Sequence, residues 1–235
     1  MRVLHEEIIA CRACPRLVEW RERVAREKRR AYRDQTYWGR PITGFGDQNA
    51  RLVIVGLAPA AHGGNRTGRI FTGDRSGDFL FAALHRAGFA NQPTSVSRDD
   101  GLALRDVFIV APVRCAPPDN KPLPEEFARC APFLDREIAL LPRVNVYLAL
   151  GAIAWKAVLD HFARREIALP SPRPAFTHGA SARVGTAWLL GSYHVSQQNT
   201  QTGRLTPAML DDVLTLAKSH GERGGASLGP SQRRR

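Results

Sequence analysis

Four short apolar runs alternate with amphipathic segments along this chain, and this alternation constrains the fold more than any other feature. The runs have the Val, Ile and Leu content of buried strands and cover residues 52–55, 107–110, 144–150 and 187–190. Helix-like periodicity follows them over residues 76–89, 124–141, 151–162 and 206–219. Strands that alternate with helices form a parallel sheet covered on both faces. The sequence therefore predicts one α/β domain over residues 1–220.

A glycine-rich loop, residues 56–74, follows the first apolar run with the sequence GLAPAAHGGNRTGRIFTGD. Its five glycines and one proline indicate that the residue types of this loop are determined by its backbone conformation rather than by burial. In an open parallel sheet, ligands bind beyond the carboxyl ends of the strands, and structureless loops this long are usually functional. The alternative is a long connection that binds nothing. We expect a site for a polar ligand here.

A second polar loop, residues 191–207, follows the fourth apolar run with the sequence GSYHVSQQNTQTGRLTP. It contains a single histidine, His194. A lone histidine is usually structural, but this one stands at the carboxyl end of a predicted strand beside hydroxyl and amide side chains. Because the carboxyl ends of parallel strands meet at one edge of a sheet, we expect the two loops to converge there.

The charge balance favours a polyanionic partner. The chain has 34 Lys and Arg against 22 Asp and Glu, a formal net charge of +12. Residues 221–235 contribute only +3 of this charge and lack apolar periodicity, so we predict a disordered basic tail and a body that is itself basic. Nucleic acid is the commonest polyanion that such a body binds, and a solvated basic surface is the alternative. Residues 16–33 are a candidate basic helix.

We expect a cytoplasmic, nucleoid-associated protein that makes no contact with membranes. The sequence has no run of about 18 apolar residues, and its N-terminal segment does not have the pattern of a signal peptide. The default expectation for such a basic chain is a monomer.

The four cysteines of the chain are predicted to bind a metal centre. Cys11 and Cys14 form a C-x2-C pair, Cys115 follows the second apolar run, and Cys130 lies in a helix-like segment. Disulfides are rare in cytosolic proteins, and four thiolates suit either tetrahedral zinc or a four-iron four-sulfur cluster. One close pair with two distant single ligands favours the cluster over zinc. Buried, inert thiols are the third alternative.

The two loop sequences and the cysteine quartet together closely resemble the family 5, or type b, uracil-DNA glycosylases, over roughly residues 11–216. The resemblance implies a three-layer α/β/α fold around a central four-stranded parallel sheet, with a 4Fe-4S cluster on the four cysteines. It also implies a monofunctional hydrolase of base excision repair, which removes uracil and often other deaminated bases from DNA. Val195 is a departure, since a proline often follows this histidine in related enzymes.

The resemblance also assigns the pocket for an extruded base. Uracil would stack on Phe71, and Asn120 is our candidate for hydrogen bonding to its Watson–Crick edge, with a turn-forming role as the alternative. Ala111 stands where some related enzymes carry asparagine, which predicts a less uracil-exclusive pocket. The remaining substrate-binding assignments fall in the first loop, on Gly56, Ala58, Pro59, Ala60, His62 and Asn65.

Bond cleavage needs a hydrogen-bond donor at the departing base and an anion near the sugar or water. His194 is assigned the donor role. Many superfamily members place an acid or amide immediately before the proline of the first loop, but this chain has Ala58 there. Asp74 is therefore our candidate for activating water, with a helix N-cap as its alternative role and Asp119 as the next candidate acid.

The second loop is our candidate for contacting DNA. After His194 it could enter the minor groove, although it lacks a large apolar wedge. The assigned DNA-binding residues are Ser196, Gln197, Gln198, Asn199 and Arg204. The alternative function is a non-catalytic iron-sulfur sensor, which would bind DNA without releasing a base.

Overall fold

The computed structural model describes residues 1–225. These residues fold around a six-stranded mixed sheet. The strand order is β1-β3-β2-β4-β6-β5. The strands are β1 (Phe45–Gly46), β2 (Leu52–Val55), β3 (Val107–Val110), β4 (Val146–Leu150), β5 (Ser181–Val184) and β6 (Ala187–Ser192).

The predicted four-stranded parallel sheet is confirmed as the centre of this larger sheet. Strands β3, β2, β4 and β6 are parallel neighbours, and register pairs such as Ile54 with Ile109 and Leu148 align their apolar side chains. The short strands β1 and β5 extend the two edges in antiparallel orientation. Neither edge strand is predicted from the sequence, because β1 has only two residues and β5 is largely exposed.

The eight α-helices of the described residues include those predicted between the strands. They are α1 (Arg2–Ala10), α2 (Pro15–Glu27), α3 (Gly64–Thr67), α4 (Arg75–Arg86), α5 (Pro124–Ala139), α6 (Ala152–Arg164), α7 (Gln197–Gln201) and α8 (Pro207–Gly225). The basic helix predicted over residues 16–33 ends at Glu27, where Lys28 takes a positive φ of 56°. No helix within residues 1–225 is long and apolar enough to cross a membrane.

Two hydrophobic cores lie on opposite faces of the sheet, which confirms the three-layer prediction. Successive side chains of a strand point to opposite faces. Leu52 and Ile54 of β2 pack in the core that includes α4 and α8, whereas Val53 and Val55 pack in the core that includes α5 and α6. The short buried strands therefore read as continuous apolar runs in the sequence.

The last helix extends beyond the predicted end of the folded domain. Helix α8 continues through Gly225, so the segment predicted to be disordered from residue 221 begins as helix. Two contacts anchor it. The ring of His220 stacks on Trp188 with a centroid separation of 3.9 Å, and Asn145 Nδ2 donates to the Gly221 carbonyl at 3.2 Å. Residues 226–235 lie outside the described residues.

Candidate active site

Loops from four parallel strands surround a cavity of about 550 Å³ at the carboxyl edge of the sheet. The loops that follow β2, β3, β4 and β6 all contribute to its wall, as expected for a parallel α/β sheet. Eleven of the residues named from sequence line it, namely Ala58, Ala60, Phe71, Asp74, Asp119, Asn120, His194, Ser196, Gln198, Asn199 and Arg204. The prediction that the two loops converge is confirmed.

Phe71 is held in a strained conformation on the cavity wall. Its φ of 50° is unusual for a bulky residue, and such strain is often found at functional sites. Gly56 makes room for the ring, since a Cβ at position 56 would lie 2.9 Å from Phe71 Cζ. Gly56 itself does not line the cavity. The structure shows that it shapes the position of Phe71, and its contact with substrate stays a prediction.

Asp74 lines the cavity and also begins helix α4. Its Oδ1 atom accepts a hydrogen bond from the Gly77 backbone N–H at 3.0 Å, so the N-cap role considered as an alternative is present. Burial raises the pKa of Asp74, although backbone N–H groups of Gly77 and Ser76 oppose the shift. The carboxylate is thus fixed in position and more basic than an ordinary aspartate.

We expect Gly63→Ala to displace this carboxylate and destabilise the protein. A Cβ atom at position 63 would lie 1.9 Å from Asp74 Oδ2. Overpacking of this kind costs about 1–3 kcal/mol, which thermal unfolding measures as a lower Tm. Gly221→Ala is the matched control, because its added Cβ would approach no atom closer than 3.7 Å. An equal Tm for the two variants would contradict this packing.

His194 faces Phe71 across the cavity, with ring centroids 6.2 Å apart. Its backbone carbonyl accepts a hydrogen bond from Asn199 Nδ2 at 2.8 Å, and this bond ties the histidine to helix α7. Burial lowers the pKa of His194. The imidazole is therefore neutral at pH 7, and a neutral imidazole presents one N–H donor and one acceptor nitrogen.

His62 and Asn65 do not line the cavity, contrary to the prediction. The ring of His62 lies beside Tyr37, whose hydroxyl is 3.0 Å from Nδ1. Asn65 is fully buried, and its Nδ2 donates to the Arg21 backbone carbonyl at 3.2 Å. Asn65 lies on the short helix α3, residues 64–67, which turns its side chain toward α2, and His62 lies in the turn that precedes this helix.

Pro59 and Gln197 are also outside the cavity wall. Pro59 is buried against Gly64, where an added Cβ would lie 2.8 Å from Pro59 Cβ. Gln197 is the exposed first residue of α7, and its neighbours on that helix reach the cavity instead.

Asn120 stands at an exposed position on the cavity rim. Both Asp119 and Asn120 have positive φ values, of 52° and 55°, and the Asn120 N–H donates to the Pro117 carbonyl at 3.3 Å. The residue therefore forms a turn and also faces the cavity, so both of the roles considered from sequence remain open to it.

An aromatic group on the cavity wall was missed by the sequence analysis. Phe176 and Tyr193 both line the cavity, with ring centroids 6.5 Å apart. The His178 ring stacks on Tyr193 at 5.0 Å, and the Arg204 guanidinium lies over the same ring at 4.6 Å. Because Tyr193 is adjacent to His194 in the sequence, its position on the cavity wall could have been predicted. No sequence signal pointed to Phe176, because it lies in an irregular segment. Other lining residues are Leu57, Ser76, Leu150, Gly151, Ala152 and Ile153.

The four cysteines, which are distant in sequence, line one small pocket between α2, α5 and the turn after β3. All four are free thiols, and three are buried: Cys14, Cys115 and Cys130. Burial raises the pKa of Cys115 to about 12, although the nearby Arg21 opposes the shift. Within residues 1–225, no three His, Cys, Asp or Glu side chains converge tightly enough to form a single-ion site.

Two buried arginines border this pocket, Arg21 at 2% and Arg114 at 1% exposure. Arg21 Nη1 donates to Cys115 Sγ at 2.9 Å. The Nε atoms of both arginines are buried without a hydrogen-bond partner. Such orphaned donors are rare in protein interiors. Arg114 also pairs with the buried Glu137 carboxylate at 2.6 Å, so the guanidinium of Arg21 beside the four thiols is the feature that fits an anionic, thiolate-held group.

Comparison with known proteins agrees with this fold. A model of the uracil DNA glycosylase superfamily matches residues 43–218. The α/β fold and its cavity thus define the chain as a member of that superfamily. Type-5 uracil-DNA glycosylases of Mycobacterium tuberculosis and Thermus thermophilus are each 55% identical to it, over 92% and 91% of this chain and 80% and 94% of their own.

A type-4 uracil-DNA glycosylase of Thermotoga maritima is more distant. It is 31% identical over 68% of this chain and 66% of its own length. The chain therefore belongs to the type-5 uracil-DNA glycosylases, and the resemblance identified from its loops and cysteines is confirmed.

Proposed function

We propose that this protein is a DNA-repair glycosylase that hydrolyses the N-glycosidic bond of uracil in DNA and leaves an abasic site. The observation that carries the proposal is the meeting of Asp74, Phe71 and His194 around one cavity. Membership of the type-5 family supports the same activity. Release of free uracil from DNA by the purified protein tests it directly.

The cavity has the groups that binding of an extruded base requires. A base inside a duplex is out of reach, so it must be flipped out, at a cost of a few kcal/mol. The ring of Phe71 offers a stacking surface, and the amide of Asn120 on the rim offers both a donor and an acceptor for the uracil edge. Phe176 and Tyr193 add apolar wall on the side of the second loop.

The chemical step assigns separate roles to the histidine and the aspartate. As the glycosidic bond breaks, negative charge builds on the base and positive charge on the sugar. The neutral imidazole of His194 donates its N–H to the uracil carbonyl oxygen, where the negative charge develops. The Asp74 carboxylate orients a water and accepts its proton. The raised pKa of Asp74 suits a base.

Contacts with DNA are assigned to the second loop. Ser196, Gln198, Asn199 and Arg204 line the cavity mouth, and Gln197 is exposed beside them on α7. Polar side chains here could fill the space that the flipped base leaves. The net charge of +12 supports binding to the phosphate backbone.

The side chains of the pocket bear on the range of bases that the enzyme accepts. Ala58 lines the cavity, and Ala111 is buried at the end of β3, so small side chains stand where related enzymes carry larger polar ones. We infer that other deaminated bases are accepted as well. We also propose that the enzyme is monofunctional, so that it releases the base without a Schiff-base lyase step.

We infer that the four cysteines hold a 4Fe-4S cluster. All four cysteines line one pocket, and one close C-x2-C pair with two distant single ligands suits a 4Fe-4S cluster better than tetrahedral zinc. When bound, such a cluster supplies a structural crosslink and a one-electron redox centre. The chain's own contribution is to tie α2 to α5 and to the turn after β3 through Cys14, Cys130 and Cys115.

We expect Cys115→Ser to abolish cluster binding and lower the Tm. A serine hydroxyl is a poor ligand for iron, and binding energy of a structural metal is also folding energy. Metal analysis and visible absorption of the purified variant measure the loss. Ser181→Ala, on the edge strand β5, is the control. Equal iron contents in the variant and the wild type would rule out Cys115 as a ligand, and zinc in place of iron would contradict the cluster assignment.

A further inference from the structure

The buried side chain of Arg21 lies between the cysteine pocket and the first loop of the active site. Arg21 is on helix α2, and its side chain is among the largest fully buried ones. Nη1 donates to Cys115 Sγ at 2.9 Å, and Nη2 donates to the Cys11 carbonyl at 3.2 Å. One guanidinium thus joins two cysteines that are 104 positions apart in the chain.

The backbone of the same residue holds the active-site loop. The Arg21 carbonyl accepts a hydrogen bond from Asn65 Nδ2 at 3.2 Å, and Asn65 has no exposed surface. The Asn65 N–H donates to Ala60 and its carbonyl accepts from Gly39, each at 3.0 Å. Asn65 therefore fixes the middle of the loop, between Ala60 and Asp74 of the cavity wall.

We propose that Arg21 is a positioning residue that couples the group in the cysteine pocket to the first loop of the active site. The proposal rests on the cofactor assigned above. Four thiolates place negative charge in a buried pocket, and the Arg21 guanidinium compensates it while its backbone carbonyl anchors Asn65. Loss of the bound group removes the anion that holds the guanidinium, and helix α2 then releases the loop.

Different substitutions can remove the contacts of Arg21 with the cysteine pocket and its hydrogen bond to Asn65. Arg21→Met keeps a long side chain but removes the charge and both donors. Asn65→Ala removes only the bond to the loop. Arg129→Met is the matched control, because Arg129 is an exposed arginine that contacts Cys14 and donates to the Ala13 carbonyl at the same pocket, but has no hydrogen bond to the loop.

The experiment uses the full chain, reconstituted with iron and sulfide, and two readouts that do not depend on uracil release. The first is the rate at which a chelator removes iron. Loss of a residue that orients metal ligands typically costs about 10–100-fold in metal affinity, so we expect Arg21→Met to lose iron at least about tenfold faster than the wild type. The second is hydrogen exchange of the backbone N–H groups of residues 60–74.

We expect faster loop exchange in Arg21→Met and Asn65→Ala, wild-type iron retention in Asn65→Ala, and wild-type loop exchange in Arg129→Met. If Arg21→Met does not fold, Arg21→Lys takes its place, since it retains the charge but cannot span both acceptors. Wild-type iron retention in the Arg21 variant, or loop exchange no faster than in Arg129→Met, would overturn the coupling. Failure of the wild-type protein to bind iron would also overturn the coupling. Absence of uracil release, with the coupling intact, would contradict only the proposed function.

Discussion

Replacing Asp74 by asparagine is expected to lower the rate of uracil release by about a hundred- to ten-thousand-fold, the usual contribution of a general base. Asparagine is as good an N-cap as aspartate, so helix α4 keeps its capping bond and the protein keeps its stability. The variant therefore removes the charge alone. Single-turnover rates measure the effect, and circular dichroism with thermal unfolding checks the fold. Full activity in Asp74→Asn would contradict the assignment.

The pH dependence distinguishes the base from a structural cap. Burial raises the pKa of Asp74, and the carboxylate is the active form. Activity is therefore lost as the pH falls through this raised pKa, at a higher pH than an ordinary aspartate would give. Burial lowers the pKa of His194, so its imidazole is protonated only at a lower pH than that of an ordinary histidine. The acidic limb of the profile disappears in Asp74→Asn if Asp74 is the group that titrates.

Replacing His194 by alanine is expected to lower the rate by about a hundred- to a thousand-fold, roughly 3 kcal/mol of transition-state stabilisation. The loss falls on the chemical step, because the histidine donates to charge that develops only as the bond breaks. Stacking on Phe71 and the affinity for DNA are preserved. The measurement compares single-turnover rates with binding to uracil-containing DNA.

His85→Ala is the control for this second variant, because His85 is exposed on helix α4 and does not line the cavity. It should release uracil at the wild-type rate. An alanine variant of His194 that reacts as fast as the control would remove the histidine from the chemistry. A variant that reacts normally once bound but binds DNA weakly would assign His194 to binding instead.

Strand positions could be predicted from the sequence where burial decided the residue types. Strands β2 and β3 are buried at every position, so they stand out as uninterrupted apolar runs with the predicted bounds. Edge strands carry no such signal. In β5, Ser181 and Arg183 are exposed, and Arg183 stacks over Trp188 instead of contributing to an apolar run.

The site could be predicted as far as strand order determines it. Loops that follow parallel strands must meet at one edge, which is why Asp74 and His194 were correctly placed together. The direction of each side chain within a loop depends on contacts that sequence order does not reveal. His62 turns to Tyr37 and Asn65 turns to Arg21, because α3 winds the middle of the loop away from the cavity.

The measurement that most directly tests the proposed activity uses a labelled DNA duplex with one G·U mismatch. The purified protein is incubated with it, and the DNA is then analysed with and without alkali. We predict scission at the uracil position only after alkali, with free uracil released in equal amount. Scission without alkali would contradict a monofunctional enzyme. An intact strand after alkali, from protein that binds the duplex, would contradict the glycosylase and favour a non-catalytic DNA-binding sensor.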